Sequence, residues 1–245
     1  MDAVFSRFAA ADAAPGARPG RRLATRSAGE RLRVELDGVP LCTVTADALA
    51  PALEGALVGW VVRARGDAAA FHAGCVSWGD RAVLLIGDKG SGKSTLAAHL
   101  GGCARYHGDE VALVRFSDGT AAPFAKAATI KEGAFGCFPP GHTWRDPIRG
   151  PVRYVSPPAA AADPAMRPVA LVFPHWTADH PDAAVDAVPA ETAALELVRQ
   201  TFGGLGRDPR TLDVIAGLAG LPAYELTYST LDAATAAVAA LAGAP

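Results

Sequence analysis

The sequence predicts an α/β domain, with a mixed α+β arrangement as the alternative. Three observations carry that expectation. The run Arg81–Ile86 (RAVLLI) is apolar and of strand length, as expected of a central strand covered on both faces. It passes through a glycine-rich turn directly into residues of helical character at 94–100. Strand-like and helix-like segments then interleave toward the end of the chain, where 224–228 reads as a strand and 231–241 as a closing helix.

The remaining elements follow in order. Residues 1–28 read as a short lead helix and a loose stretch rich in Pro, Gly and Arg. Arg31–Leu36 alternates with period two and turns at Asp37-Gly38 into a second strand, Val39–Val44, where Pro40 argues for an edge position. A helix is expected over 46–57, weakened by Pro51 and Gly55, then strands at 59–64 and 71–78. After the helix at 94–100, Asp109-Glu110 precedes or begins a strand that ends at Val114, and 117–120 is a turn. Eight prolines in 151–190 predict connecting loops around one strand, 169–173. Helices are expected at 190–202 and 212–219. The implied organisation is a small strand and helix extension over 1–66 packed on a core domain over 67–245.

Composition narrows the function classes. The 245 residues suit one large domain or one domain with an appendage. Half are hydrophobic, although 54 alanines make the interior less bulky than that share implies. The apolar content and the lack of a repeat exclude collagen-like, mucin-like and wholly disordered chains. A net charge of -2 and no long basic run give no support for a nucleic-acid partner. No stretch of 18 apolar residues is present, so no membrane partner is expected, and the N-terminus lacks the basic and apolar regions of a signal peptide. A cytoplasmic location is the resulting expectation. Cys42, Cys75, Cys103 and Cys137 lack metal-site spacing and read as small buried thiols. His175-Trp176 and His180-Pro181 have no third ligand at a convincing spacing, so no zinc site is expected.

The sharpest signal is Gly87-Asp88-Lys89-Gly90-Ser91-Gly92-Lys93-Ser94, which matches G-x-x-x-x-G-K-[ST]. Glycines let the backbone turn tightly and gather several N–H groups around phosphate oxygens. The helix that follows aims its positive end at the same anion. In this pattern Lys93 reaches the β- and γ-phosphates and the Ser94 hydroxyl joins a Mg²⁺ shell, while Thr95, one place further on, closes the nucleotide-binding set. ATP and Mg²⁺ are therefore the expected cofactors.

The second signal is His107-Gly108-Asp109-Glu110-Val111. A carboxylate beside a strand can hold Mg²⁺, directly or through water, and a second can take a proton from an incoming hydroxyl. In extended backbone the two side chains point in different directions, so only one of them would face the phosphates. A solvated acidic turn is the alternative.

Together these segments resemble the C-terminal domain of the HPr kinase/phosphorylase family, and most of all its shorter relatives, the HPr-kinase-related kinases. The resemblance covers roughly 70–241. It rests on Phe71-His72-Ala73-Gly74, on the strand running into Gly87–Ser94, on Asp109-Glu110 where the family shows an Asp-Asp pair, on Ile130-Lys131-Glu132-Gly133, and on the terminal strand and helix. It implies a P-loop domain related to the nucleotide domain of ATP-dependent phosphoenolpyruvate carboxykinase. By position it implies Asp109 as general base, Glu110 as a carboxylate assisting Mg²⁺, His72 near the phosphates and Lys131 as a substrate or phosphate contact. Family members often assemble into oligomers, which makes a homo-oligomer a further implication. Glu110 in place of the second aspartate and Lys89 in place of a serine depart from the family pattern, and the segment that grips the phosphocarrier is not recognisable.

The expected function is an ATP- and Mg²⁺-dependent phosphotransferase acting on a hydroxyl. Its acceptor would be a serine of a protein or biosynthetic peptide, or else a small molecule. The competing class is a regulatory protein that senses a nucleotide and transfers nothing. The loop around His142, Trp144 and Arg145 reads either as a cover for the pocket or as an ordinary surface loop.

Overall fold

An antiparallel meander opens the structure: β1 (Leu23–Ala28), β2 (Arg31–Leu36) and β3 (Val39–Val44), hydrogen-bonded in that order. The computed structural model describes residues 22–124, 126–156, 165–179, 182–204 and 208–244. The expected lead helix and His180-Pro181 lie outside the described residues. β3 pairs with β2 alone, so Pro40 sits on an edge as its missing N–H demands, opposite a register shift at Val34/Glu35.

A helix, α1 (Leu49–Ala64), follows. It absorbs 59–64, where Trp60-Val61-Val62 had suggested a strand. Pro51 falls in its first turn, where a missing N–H breaks no intrahelical bond. The β-branched pair is carried along because Leu49 and Leu53, one turn apart, already seat the helix on Val34 in a small core.

The next elements are β4 (Ala68–Phe71), β5 (Ala73–Trp78), β6 (Arg81–Ile86), α2 (Lys93–Leu100), β7 (Arg105–Gly108), β8 (Ala112–Arg115), β9 (Ala121–Ala122) and β10 (Ala128–Lys131). The last are β11 (Trp144–Asp146), β12 (Gly150–Val155), β13 (Arg167–Trp176), β14 (Ala184–Ala187), α3 (Ala190–Arg199), α4 (Arg210–Ala219), β15 (Ala223–Tyr228) and α5 (Leu231–Ala242). The fold is thus a mixed α/β arrangement of several sheets and helices.

The chain divides into two units. One takes the described residues up to Ala64 together with Thr129–Val155; the other takes Arg65–Ala128 and the described residues from Ser156 onward. Residues 129–155, which the expected division kept within 67–245, belong to the first unit.

In the first unit β12 lies between β10 and β11, and Trp144 packs with the Val34 cluster. The segment around Trp144 is therefore a strand of this unit's framework, with His142 edge-on to the indole at 4.5 Å. Its polar centre is Glu54, a buried carboxylate on α1. Glu54 accepts from the Thr129 hydroxyl at 2.8 Å, the Arg149 guanidinium at 2.6 Å and the Tyr154 hydroxyl at 3.0 Å. Asp146 holds the other side of Arg149 at 2.7 Å and accepts the backbone N–H groups of Ile148 and Arg149.

In the second unit six strands run in the order β14-β15-β13-β6-β5-β7. β6 is parallel to β13 and antiparallel to β5. Ala82, Leu84 and Ile86 share one cluster with Ala193 and Leu197 of α3 and Ile215 and Leu218 of α4. Leu85 points the other way, toward Gly74 and Ala97 of α2. Cover on both faces explains why RAVLLI is apolar without alternation.

β13 is twice as long as the expected strand because its two prolines do not interrupt pairing. Pro168 sits at a register shift, and Pro174 lies beyond the last β6 partner, Val172↔Leu85. The single strand expected at 71–78 is two. The chain leaves β4, which pairs with β8, and enters β5 in the central sheet, with His72 at the corner between them.

Candidate functional site

The loop at 87–94 begins where β6 ends and closes where α2 begins, so a buried strand and a helix fix both its ends. Gly87, Gly90 and Gly92 all have positive φ, at 149°, 100° and 97°. Gly92 is required twice over. It is left-handed, and a methyl group there would run into the Tyr228 hydroxyl. Lys93 is buried, and its ammonium donates to the carbonyls of Gly87 at 2.5 Å and Asp88 at 2.8 Å, with Ser91 Oγ at 3.5 Å. The loop therefore wraps around its own cation. Ser94 and Thr95 occupy the first turn of α2 and are half-buried, while Asp88, Lys89 and Gly90 are exposed.

A relay of polar contacts runs from this loop to Glu110. The Gln200 amide donates to Asp88 Oδ1 at 2.9 Å, and its carbonyl oxygen lies 3.1 Å from His72 Nδ1. Asp88 can only accept, so the Gln200 oxygen must face the histidine and Nδ1 must carry the proton. His72 Nε2 is then directed at Glu110 Oε1, 3.8 Å away. The backbone holds this arrangement as well, since His72 N–H donates to Gln200 O at 2.7 Å, and Phe202 packs edge-on to the imidazole.

Asp109 and Glu110 lie in a bend between β7 and β8, not within a strand. The bend sorts them. Asp109 is fully buried, whereas the Glu110 side chain keeps 28% of its surface exposed. Asp109 Oδ1 accepts from the Tyr106 hydroxyl at 2.9 Å and pairs with Lys126 Nζ at 2.6 Å; Lys126 is itself buried and also donates to Ala127 O. Gly108 makes this pairing possible. A Cβ there would stand 2.9 Å from the Phe124 carbonyl, and Phe124 N–H donates to His107 O at 3.0 Å, so Phe124 lies against the end of β7. His107 is buried beside Ser77, with 2.7 Å between Nε2 and Oγ.

The structure thus joins the loop to His72 by hydrogen bonds through Gln200 and sets Glu110 within 3.8 Å of the imidazole, all in the second unit. It sets Asp109 in a buried pocket of the same unit. Lys131 belongs to the first unit, at the end of β10 where the 3-10 turn Glu132–Cys137 starts. Lys126, Tyr106 and Gln200 escaped the sequence reading. Lys126 had a signal, because it is the one cation in the apolar stretch 121–130. Gln200 had none, since it reads as the polar end of an amphipathic helix. Among the cysteines only Cys75 is buried; Cys42, Cys103 and Cys137 are exposed, against the expectation of four buried thiols.

Among the described residues, no group of three or more His, Cys, Asp or Glu side chains is placed to hold a metal ion by itself. A Mg²⁺ that arrives on a triphosphate needs less, one hydroxyl and one carboxylate. Ser94 and the partly exposed Glu110 offer those donor types. No described helix is long and apolar enough to cross a membrane. No protein-family model matches this chain, and no curated protein matches it.

Proposed function

We propose that the second unit is a P-loop kinase domain of the HPr kinase type, transferring the γ-phosphoryl group of ATP to a hydroxyl with the help of Mg²⁺. The acceptor class that fits the resemblance best is a serine of a protein or biosynthetic peptide, with a small-molecule alcohol as the alternative. One observation carries the reading. The glycine loop around Lys93 and a pair of adjacent carboxylates, with 14 residues between Ser94 and Asp109, lie in one unit, and polar contacts from Asp88 through Gln200 and His72 lead from the loop toward Glu110.

In this reading the backbone N–H groups of 87–94 and Lys93 hold the triphosphate. Lys93 gives up its carbonyl partners for phosphate oxygens and follows the charge that develops on the transferring group. The acceptor oxygen bonds to the γ-phosphorus as the bond to the β,γ-bridging oxygen breaks, and ADP leaves. The acceptor proton passes to a carboxylate, assigned to Asp109 by the resemblance. Ser94 and Glu110 would hold Mg²⁺, which supplies charge neutralisation between the β- and γ-phosphates.

Incubation with γ-labelled ATP and Mg²⁺ against peptide and metabolite pools tests this. Label on a peptide or a metabolite supports the kinase and names its acceptor class. Asp109→Asn should keep ATP binding and lose transfer. A second reading, a nucleotide sensor without transfer, draws on the complete burial of Asp109 against Lys126. Tight ATP binding with no label on any hydroxyl would select it.

A further inference from the structure

We infer that Trp176 is the stacking platform for the purine base of a bound nucleoside triphosphate. This rests on the nucleotide-binding reading of the 87–94 loop. Trp176 is the last residue of β13, which runs parallel to β6 and pairs Val172 with Leu85. β13 therefore extends about three residues past the end of β6, which places Trp176 level with the loop. Its Cβ would lie 3.5 Å from a Cβ on Gly92, so the root of the side chain is against the glycine where the loop enters α2.

The ring itself is open to solvent. The residue is 54% exposed, and the indole N–H donates to Ser229 O at 3.1 Å. An exposed indole pinned by its N–H presents a fixed aromatic face and loses little conformational freedom when a ligand stacks on it. Other large apolar side chains are also exposed, but none of them is shown against the loop.

The direction of the triphosphate selects the base over the acceptor as the occupant of this face. In the sheet β6 has β5 and then β7 on one side, with the carboxylates directly after β7. On the other side it has β13 and then β15, whose terminal residues Trp176 and Tyr228 are in register. The terminal phosphate must face the carboxylates, so the other end of the nucleotide runs toward Trp176. Stacking is tolerant of base identity, and the inferred ligand group is a purine without choice between adenine and guanine.

Titration calorimetry of the full chain with Mg²⁺ and either ATP or inorganic tripolyphosphate tests the inference. Trp176→Ala should weaken ATP binding about ten-fold or more, the usual scale for losing one stacked base. It should leave tripolyphosphate within about two-fold of wild type, and Trp176→Phe should restore most of the ATP affinity. Unchanged ATP affinity in Trp176→Ala, or equal losses for ATP and tripolyphosphate, would overturn the platform while leaving the loop's role intact. A wild-type protein that binds neither ligand would remove the nucleotide reading, and this inference with it.

Discussion

Replacing Lys126 with Met removes one half of a fully buried ion pair while keeping an unbranched side chain in its place. Asp109 has no exposed surface, the Lys126 side chain keeps 3%, and the two groups are 2.6 Å apart. After the change, the Tyr106 hydroxyl at 2.9 Å still serves Asp109 Oδ1, but a neutral hydrogen bond does not replace an ammonium. Stranding one member of a buried pair costs about 3–5 kcal/mol. Hydrogen exchange of β5, β6 and β13 amides in increasing urea reads the stability of the unit that contains the pair. The variant should lose about 3–5 kcal/mol. The double change Lys126→Met with Asp109→Asn should recover most of that, giving a coupling of at least about 2 kcal/mol, toward the upper part of the range seen for residues in contact. A single variant within about 0.5 kcal/mol of wild type, or a cycle that is simply additive, would refute the claim that this pair organises the bend after β7.

Gly92→Ala should reduce ATP affinity at least about ten-fold, because left-handed backbone costs a side chain about 1–2 kcal/mol and its methyl meets the Tyr228 hydroxyl. Adding Tyr228→Phe should return part of the loss in the same binding assay. Glu54→Leu strips the acceptor from Thr129, Arg149 and Tyr154 together and should destabilise the first unit by about 3–5 kcal/mol, read from exchange of β12 amides. Burial opposes ionisation of Asp146, yet the Arg149 and Ile148 backbone N–H groups and the Arg149 side chain overcome it and hold the carboxyl below its ordinary value. Its contribution to stability is therefore complete above the ordinary carboxylate range and is lost as pH falls through that range toward the lowered folded value. The difference in denaturation midpoint between wild type and Asp146→Asn should vanish over that interval. Glu110→Gln should lower phosphoryl transfer in the labelled-ATP assay and leave unfolding within about 0.5 kcal/mol of wild type, since Glu110 is partly exposed.

The central strand, the loop and the terminal strand and helix were legible because each follows one local rule. Ala82–Ile86 is apolar throughout, Gly87–Ser94 carries the glycines that its positive φ angles demand, and Thr230 and Gly243 bracket α5 as cap residues. What escaped depended on tertiary pairing. Arg105–Gly108 has no strand pattern, yet β5 recruits it as an edge and buries Tyr106 and His107. The strand suggested by Trp60-Val61-Val62 yields to a helix that Leu49 and Leu53 have already seated on Val34. Prolines at 168 and 174 suggest loops, but a register shift and an overhang accommodate both. Gln200 and Lys126 join the site only through residues more than a hundred and about seventeen positions away, respectively, a separation that no spacing rule reaches.

The two adjacent carboxylates show how one bend divides labour that sequence alone leaves undivided. After Gly108 the chain turns so that Asp109 enters the unit, where a cation and a phenol hold it, while Glu110 stays at the surface facing His72. The orientation of His72 is set from the loop, through Gln200 and Asp88. Gln200 donates its amide N–H to Asp88 and turns its carbonyl oxygen to His72, so one amide group orients both contacts. The Gln200 side chain therefore fixes the geometry between the loop and the histidine, while Asp109 is held separately by Lys126 and Tyr106.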